Sequence, residues 1–244
     1  MTRRLRAAIF DVDGVLVNSP HERAWREALA GLADPASFTT DVYQAYVAGK
    51  PRLAGARAAL EALGIAGAAA KAGAYAERKQ AVVDRLITEG RFEAYPDATR
   101  LAVALKRASF RLALASSSKN ADAMLTRVIL PDGGTLRALF DADLSGRDVA
   151  RGKPDPALFL LSAEAVAVPP AECVVVEDAP AGIAAARAGG MAALGIARLG
   201  DAPLLRAAGA DLVLTSLDRL DVDALHRGLL RALPTPQASA PTGG

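Results

Sequence analysis

Residues 5–14 read LRAAIFDVDG, a short apolar run that ends abruptly in two aspartates and a glycine. A continuous apolar run of this length is typical of a strand buried on both faces of a parallel sheet. The arrangement recurs along the chain: residues 110–115 are followed by SSSKN, and residues 173–176 are followed by EDAP. Because parallel strands end at the same edge of a sheet, we expect the three polar clusters to lie together, where open α/β sheets bind ligands.

The segments between these strands have helical periodicity, at residues 99–107, 121–128, 156–166 and 182–188. Weaker strands are predicted at residues 140–144, 192–196 and 211–214. Alternation of strand and helix predicts an α/β fold in which a doubly wound parallel sheet is built with right-handed crossovers.

Residues 19–92 interrupt this alternation, since they are alanine-rich, helical in period and without a convincing strand. They predict an α-helical cap domain inserted into a discontinuous core of residues 1–18 and 93–230. Residues 231–244 are rich in Pro, Ala, Ser and Gly, which predicts a disordered tail.

Composition excludes several classes of protein. The 244 residues are 52% hydrophobic, with a net charge of +2 and a single cysteine, which does not fit a disordered chain or a disulfide scaffold. The sequence has neither an apolar stretch of about 18 residues nor a signal-peptide pattern. Its basic residues are dispersed among acidic ones. We therefore expect a cytoplasmic monomer with no membrane and no nucleic acid as partner.

Four carboxylates follow two of the predicted strands: Asp11 and Asp13 after the first, Glu177 and Asp178 after a later one. Carboxylates gathered at one edge repel each other, so their charge requires a cation or protonation. Oxygen ligands suit Mg²⁺. The alternative is that each aspartate only caps the turn that follows it.

Ser116 and Lys153 add groups that suit a phosphate. The Ser116 hydroxyl can donate to a phosphoryl oxygen, and Pro154 ends any helix so that Lys153 is held on a turn, where its charge can neutralise a phosphoryl group. A carboxylate nucleophile, an acid/base two residues later, a hydroxyl, a lysine and an acidic metal site together are what phosphoryl transfer requires.

In these motifs the chain resembles the haloacid dehalogenase superfamily of phosphotransferases. The matching motifs occur in the superfamily's order: residues 11–15 (DVDGV), Ser116, residues 153–156 (KPDP) and residues 177–182 (EDAPAG). The resemblance implies a Rossmann-like core with Mg²⁺ as cofactor.

It also implies roles for individual residues. Asp11 would be the nucleophile that forms an aspartyl-phosphate, and Asp13 the general acid/base. Asp11, the backbone carbonyl of Asp13 and Asp178 would hold Mg²⁺, with Glu177 supporting the metal site.

A finer resemblance is to the β-phosphoglucomutase-like group with a small helical cap. It rests on His21, Arg52 and Lys79 in the cap and on residues 113–120 (ALASSSKN) in the core. It implies a sugar phosphate as substrate. Candidate substrate-binding residues in the core are Ser117, Ser118, Lys119 and Asn120, of which the last three would hold the phosphate that is not transferred.

Alternatives remain for the cap residues and for the activity. His21 could face solvent at a helix start, and Arg52 and Lys79 could be surface charges. A mutase must hold a bisphosphate in either orientation and therefore needs a distal anion site. A sugar-phosphate phosphatase of the same superfamily does not need that site, and a non-catalytic phosphosugar-binding protein is a third possibility.

Overall fold

A computed structural model describes residues 4–47 and 50–234. Within this part of the chain the strands are β1 Ala7–Phe10, β2 Val17–Asn18, β3 Glu93–Ala94, β4 Arg111–Leu114, β5 Ala142–Asp143, β6 Cys173–Glu177, β7 Ala192–Ile196 and β8 Leu212–Leu214. The α-helices are α1 His21–Ala28, α2 Thr40–Val42, α3 Arg52–Ala62, α4 Ala68–Thr88, α5 Pro96–Arg107, α6 Ala121–Leu125, α7 Ala157–Ala165, α8 Pro180–Ala188, α9 Ala202–Ala207 and α10 Val222–Leu225.

Six strands form one parallel sheet in the order β5-β4-β1-β6-β7-β8. All four residues of β1 are fully buried, as its apolar run predicts. After β1 the chain continues to β4 on one side, whereas after β6 it continues to β7 on the other. The crevice between the ends of β1 and β6 is therefore the topological switch point, where ligands bind in such sheets. The predicted doubly wound parallel sheet is confirmed.

Two apolar clusters cover the faces of the sheet. Alternate residues of β1 divide between them: Phe10 packs in one cluster, and Ala7 and Ile9 pack in the other. This period of two follows from the strand geometry. A third cluster lies among the inserted helices and includes Trp25, Phe38 and Tyr75.

The segment between β2 and β3 is helical. It holds α1 to α4 and, in its described parts (19–47 and 50–92), no strand. Strands β2 and β3 pair with each other in antiparallel register, Val17 with Ala94 and Asn18 with Glu93. The chain therefore leaves the sheet and returns to it through two adjacent connections. The boundaries of a separate cap domain at residues 19 and 92 stay a prediction.

At the start of the predicted tail, backbone groups form hydrogen bonds with residues 219 and 221. The Asp221 amide donates to the Arg231 carbonyl (3.1 Å), and the Leu233 amide donates to the Arg219 carbonyl (2.6 Å). Residues 235–244, where a disordered tail was predicted, lie outside the described residues. No helix among the described residues is long and apolar enough to cross a membrane.

Candidate active site

The polar groups predicted to converge meet at the switch point. Asp11 directly follows β1, Glu177 ends β6, and Lys153 lies in the loop between β5 and α7. The Lys153 amine donates to Asp11 Oδ1 (2.6 Å) and to Glu177 Oε1 (2.5 Å). It also lies 4.8 Å from the centre of the Phe159 ring. One largely buried cation therefore joins the ends of two adjacent strands.

Negative charge at this point exceeds what one lysine can offset. Burial, together with the charges of Glu177 and Asp13, raises the pKa of Asp11 to about 7 despite the attraction of Lys153. Burial and the charges of Glu177 and Asp11 raise the pKa of Asp178 well above its ordinary value. Burial acts against the charge on Lys153, but Asp11 and Glu177 outweigh it and raise the lysine pKa. The site therefore favours a further cation.

The carboxylates available at this site suit a Mg²⁺ ion that is held by few protein side chains. In the described part of the chain, no three or more His, Cys, Asp or Glu side chains converge as a metal-binding group. Mg²⁺ commonly uses only one or two carboxylates together with water and substrate phosphate. The two oxygens of Glu177 are already bonded, one to Lys153 and the other to the Ala179 amide (3.0 Å). Asp11 and Asp178 are then the carboxylates that fit the metal.

Gly14 makes room for Asp178. Its φ is +83°, and a Cβ at this position would lie 1.9 Å from Asp178 Oδ2. Only glycine therefore combines this turn with this close approach.

Replacing Gly14 by alanine should displace the Asp178 carboxylate and weaken Mg²⁺ binding at least about tenfold, in addition to the strain of roughly 1–3 kcal/mol from the left-handed backbone. Gly31→Ala is the matched control, because its φ is +80° and a Cβ there would meet nothing within 4 Å. Isothermal titration with Mg²⁺ and urea unfolding of both variants measure the two effects separately. Equal Mg²⁺ affinity in the two variants would contradict this account.

Asp13 presents one oxygen that lacks a partner. Its Oδ2 accepts from the Ser116 hydroxyl (3.4 Å), whereas Oδ1 is buried and has no hydrogen bond among the described residues. The His21 Nε2 atom lies 3.7 Å from Oδ1. A buried acceptor without a donor is uncommon, so this oxygen is placed to receive a proton or a hydroxyl group.

His21, the first residue of α1, connects the helical insertion to this carboxylate. Its Nδ1 lies 3.3 Å from Lys79 Nζ, and its Nε2 lies 3.3 Å from Ser118 Oγ. Burial lowers the pKa of His21, and Lys79 lowers it further against the opposing effect of Asp13. Burial also lowers the pKa of Lys79 to about 8, which leaves the amine mostly charged at pH 7. A charged amine only donates, so Nδ1 accepts, and the proton of the neutral ring is on Nε2, facing Ser118 and Asp13.

These positions overturn two of the alternative interpretations. Lys79 is 5% exposed, so it is not a solvated surface charge, and His21 does not face solvent. Arg52 is exposed, but it does not lack a partner: its Nη1 donates to Gln80 Oε1 (2.6 Å).

Gln80 links the insertion to the core. Its Nε2 donates to Asn120 Oδ1 (3.0 Å), so Arg52, Gln80 and Asn120 form a continuous polar chain. No local pattern in the sequence marks Gln80. A neutral amide carries no charge or metal-ligand signal, and only the packing of α4 against the loop after β4 reveals it.

Two of the predicted substrate-binding residues stand apart from this chain of contacts. Ser117 is exposed, and the amine of Lys119 points to Asp148 (3.6 Å), with both side chains largely in solvent. The backbone of Lys119 packs tightly on Gly146, where a Cβ would lie 2.9 Å from the Lys119 Cα. The substrate-binding role of Ser117 and the phosphate-binding role of Lys119 stay predictions.

Comparison with known proteins agrees with this geometry. The profile of the haloacid dehalogenase-like hydrolase family matches residues 5–190. The chain belongs to this family. It is 33% identical to β-phosphoglucomutase of Bacillus subtilis, over 91% of this chain and 94% of that protein. It is 31% identical to hexitol phosphatase A of Escherichia coli, over 92% and 97%. The crystal structure of an archaeal β-phosphoglucomutase from a Pyrococcus species superposes with a TM-score of 0.69, covering 90% of this chain and 96% of that one at 31% identity.

The chain is therefore an enzyme of the haloacid dehalogenase superfamily, and its relatives are phosphotransferases and phosphatases. Enzymes of this superfamily generally use Mg²⁺. The family's fold therefore accounts for the position of Asp11, Lys153 and Asp178 at one strand edge.

Proposed function

We propose that the chain is a Mg²⁺-dependent mutase that interconverts β-glucose 1-phosphate and glucose 6-phosphate through the 1,6-bisphosphate. The observation that carries this proposal is the polar chain of Arg52, Gln80 and Asn120, which provides hydrogen-bond donors outside the transfer site. A bisphosphate needs a second group of donors while its other phosphate reacts. Relatives named β-phosphoglucomutase, one of them 33% identical over 91% of this chain, support the same substrate.

In the proposed reaction, a carboxylate oxygen of Asp11 attacks the phosphorus of the sugar phosphate. An Asp11–phosphorus bond forms as the bond from phosphorus to the sugar oxygen breaks, and Asp13 gives its proton to that oxygen. In the reverse direction Asp13 removes the proton of a sugar hydroxyl, which attacks the phosphorus and releases Asp11. Transfer to the 6-hydroxyl of β-glucose 1-phosphate gives the bisphosphate, and return of its 1-phosphoryl group to Asp11 releases glucose 6-phosphate.

Surrounding residues prepare the two aspartates. Lys153 favours the ionised form of Asp11, against the effect of burial, and offsets the charge of the phosphoryl group. Ser116 is bonded to Asp13, and the protonated Nε2 of His21 faces the unpartnered oxygen of the same carboxylate. When bound by Asp11, Asp178 and the carbonyl of Asp13, Mg²⁺ would supply positive charge for the phosphoryl oxygens. Glu177 would support the metal site through Lys153.

Arg52→Ala should lower the rate of bisphosphate-dependent mutase turnover by about 10²-fold, because it removes a charged donor to the distal phosphate. Hydrolysis of a monophosphate, which needs no distal site, should change less than about threefold. Arg57→Ala is the matched control, since Arg57 lies on the same helix and pairs with Glu61 (2.7 Å) on the surface. Equal loss of the two activities in Arg52→Ala would count against the distal site.

The deciding experiment is phosphorus NMR of the protein with Mg²⁺, β-glucose 1-phosphate and a trace of β-glucose 1,6-bisphosphate. Conversion to glucose 6-phosphate with little inorganic phosphate supports the mutase. If neither product forms, a panel of other sugar phosphates tests whether the sugar is wrong.

A sugar-phosphate phosphatase is the second candidate. It is favoured by the 31% identity to hexitol phosphatase A, almost equal to the identity with the mutases. The side chain of Asp13 is also 27% exposed, which gives water a path to the aspartyl-phosphate. Inorganic phosphate as the main product of the NMR experiment would select this function. A protein that only binds phosphosugars would show no turnover that depends on Asp11.

A further inference from the structure

Arg198 lies two residues beyond the end of β7, at the same edge of the sheet as the candidate active site. Its guanidinium is largely buried and forms a bidentate ion pair with Asp97: Nη1 donates to Oδ2 (2.9 Å) and Nη2 donates to Oδ1 (3.0 Å). Neither residue is part of the motifs that carry the chemistry. The pair therefore calls for a separate explanation.

The same guanidinium binds the connection by which the chain leaves the sheet. Nε donates to the Gly14 carbonyl (3.4 Å), and Nη2 donates to the Val15 carbonyl (3.2 Å). These two carbonyls directly follow Asp13 and precede β2. Gly14 is also the residue against which the Asp178 carboxylate packs.

It binds the returning connection as well. Asp97 is the second residue of α5, and the Arg198 guanidinium stacks 3.9 Å from the centre of the Tyr95 ring, just after β3. The Tyr95 amide in turn donates to the Leu16 carbonyl (2.9 Å). One side chain thus contacts both connections of the helical insertion to the sheet.

The geometry of this contact requires an arginine. A planar guanidinium donates to a carboxylate through two parallel bonds and still has donors for backbone carbonyls, which a lysine amine cannot reproduce. Asp97 is held in its ionised form: burial opposes ionisation, but Arg198 and the amides of Leu217 and Ala98 outweigh it and lower the pKa of Asp97.

We propose that Arg198, held by Asp97, is a positioning residue of this enzyme. It fixes the backbone that follows Asp13 and the two connections of the insertion, and so limits the share of phosphoryl groups that pass to water. In that side reaction a water oxygen attacks the phosphorus of phosphorylated Asp11 while Asp13 takes a proton from that water, the Asp11–phosphorus bond breaks, and inorganic phosphate leaves. The claim that Arg198 limits phosphoryl transfer to water rests on the proposed mutase function. The claim that Arg198 fixes the two connections does not.

The test compares the full-length wild type with Arg198→Lys, Asp97→Asn and a matched control, Arg187→Gln. Arg187 also donates to both oxygens of an aspartate, Asp211 (2.7 and 2.8 Å), but this pair lies at the opposite edge of the sheet, next to the start of β7. Hydrogen exchange without substrate reports on residues 12–18 and 93–99. Phosphorus NMR reports glucose 6-phosphate against inorganic phosphate.

We expect exchange in both segments to rise roughly tenfold in Arg198→Lys and Asp97→Asn, with the rest of the protein unchanged. The ratio of glucose 6-phosphate to inorganic phosphate should fall about tenfold. Arg187→Gln should match the wild type in both readouts. Wild-type exchange and a wild-type product ratio in Asp97→Asn would overturn the proposal, and this variant decides the matter if Arg198→Lys does not fold.

Failure of the proposed function is recognised separately. If the wild type forms no glucose 6-phosphate, the mutase assignment is wrong, but the exchange comparison still judges Arg198. The product ratio is then replaced by the rate of phosphate release, which should change in Arg198→Lys and not in Arg187→Gln.

Discussion

Asp11→Asn should abolish phosphoryl transfer, with a loss of roughly 10⁴-fold or more, while the protein stays folded. An amide is not a nucleophile towards phosphorus, but its oxygen still accepts from Lys153 where Asp11 Oδ1 now does (2.6 Å). Phosphorus NMR with each candidate sugar phosphate measures the loss. Asp132→Asn is the control. Asp132 lies in an exposed turn and accepts from the Gly134 amide, and the amide oxygen of asparagine can accept the same bond.

The same variant should gain thermal stability in the absence of Mg²⁺. Burial raises the pKa of Asp11 from 3.8 to about 7 in the folded protein, so the folded state binds more protons than the unfolded state between these values. The wild type therefore loses stability as the pH rises from about 4 to about 7, and the neutral asparagine does not share this loss. We expect the difference in Tm to grow across this range and to stay constant above it. A Tm difference independent of pH would contradict the claim that the charge of the buried Asp11 destabilises the folded protein.

Lys153→Met should destabilise the fold by about 3–5 kcal/mol in addition to stopping catalysis. Methionine keeps most of the apolar contact with Phe159, but Asp11 and the fully buried Glu177 lose the only amine bonded to both of them in the described residues. Urea unfolding at pH 8 without Mg²⁺ measures the change in the free energy of unfolding.

Two further variants identify the cause of that loss. Adding Glu177→Gln to Lys153→Met removes one of the buried charges and should recover part of the stability. Lys106→Met, which removes a surface pair with Asp141 (2.8 Å), should cost at most about 1 kcal/mol. If Lys153→Met costs no more than Lys106→Met, the lysine does not offset buried negative charge at the switch point.

Much of the core could be predicted because its signals are local. The apolar runs of β1, β4 and β6 are buried on both faces, and the polar residues that end them set the strand edge. Even the weaker strands were found within a few residues, as β5 occupies two residues of the predicted 140–144 and β8 three of 211–214. In each case, burial and strand period act on neighbouring residues, so the pattern is present in the sequence itself.

Side-chain partners were less predictable, because they join residues far apart in the chain. The family resemblance pointed to Lys79, but only the structure shows it buried against His21. Lys119 belongs to the same matched stretch as Asn120, yet its amine extends to the exposed Asp148. Whether a long charged side chain turns inward depends on the space that other elements leave, which no local pattern encodes.

The sequence by itself determined the parallel sheet, the edge at which Asp11, Asp13 and Asp178 meet, and the family whose chemistry they suit. The tertiary structure alone decided that one guanidinium, Arg198, contacts both connections of the helical insertion. The physical reason is the range of the interactions. Strand formation depends on adjacent side chains, whereas the hydrogen bonds of Arg198 join segments about 100 or more residues apart. They exist only once β1 and β7 have assembled on either side of β6 and α5 has packed at their ends.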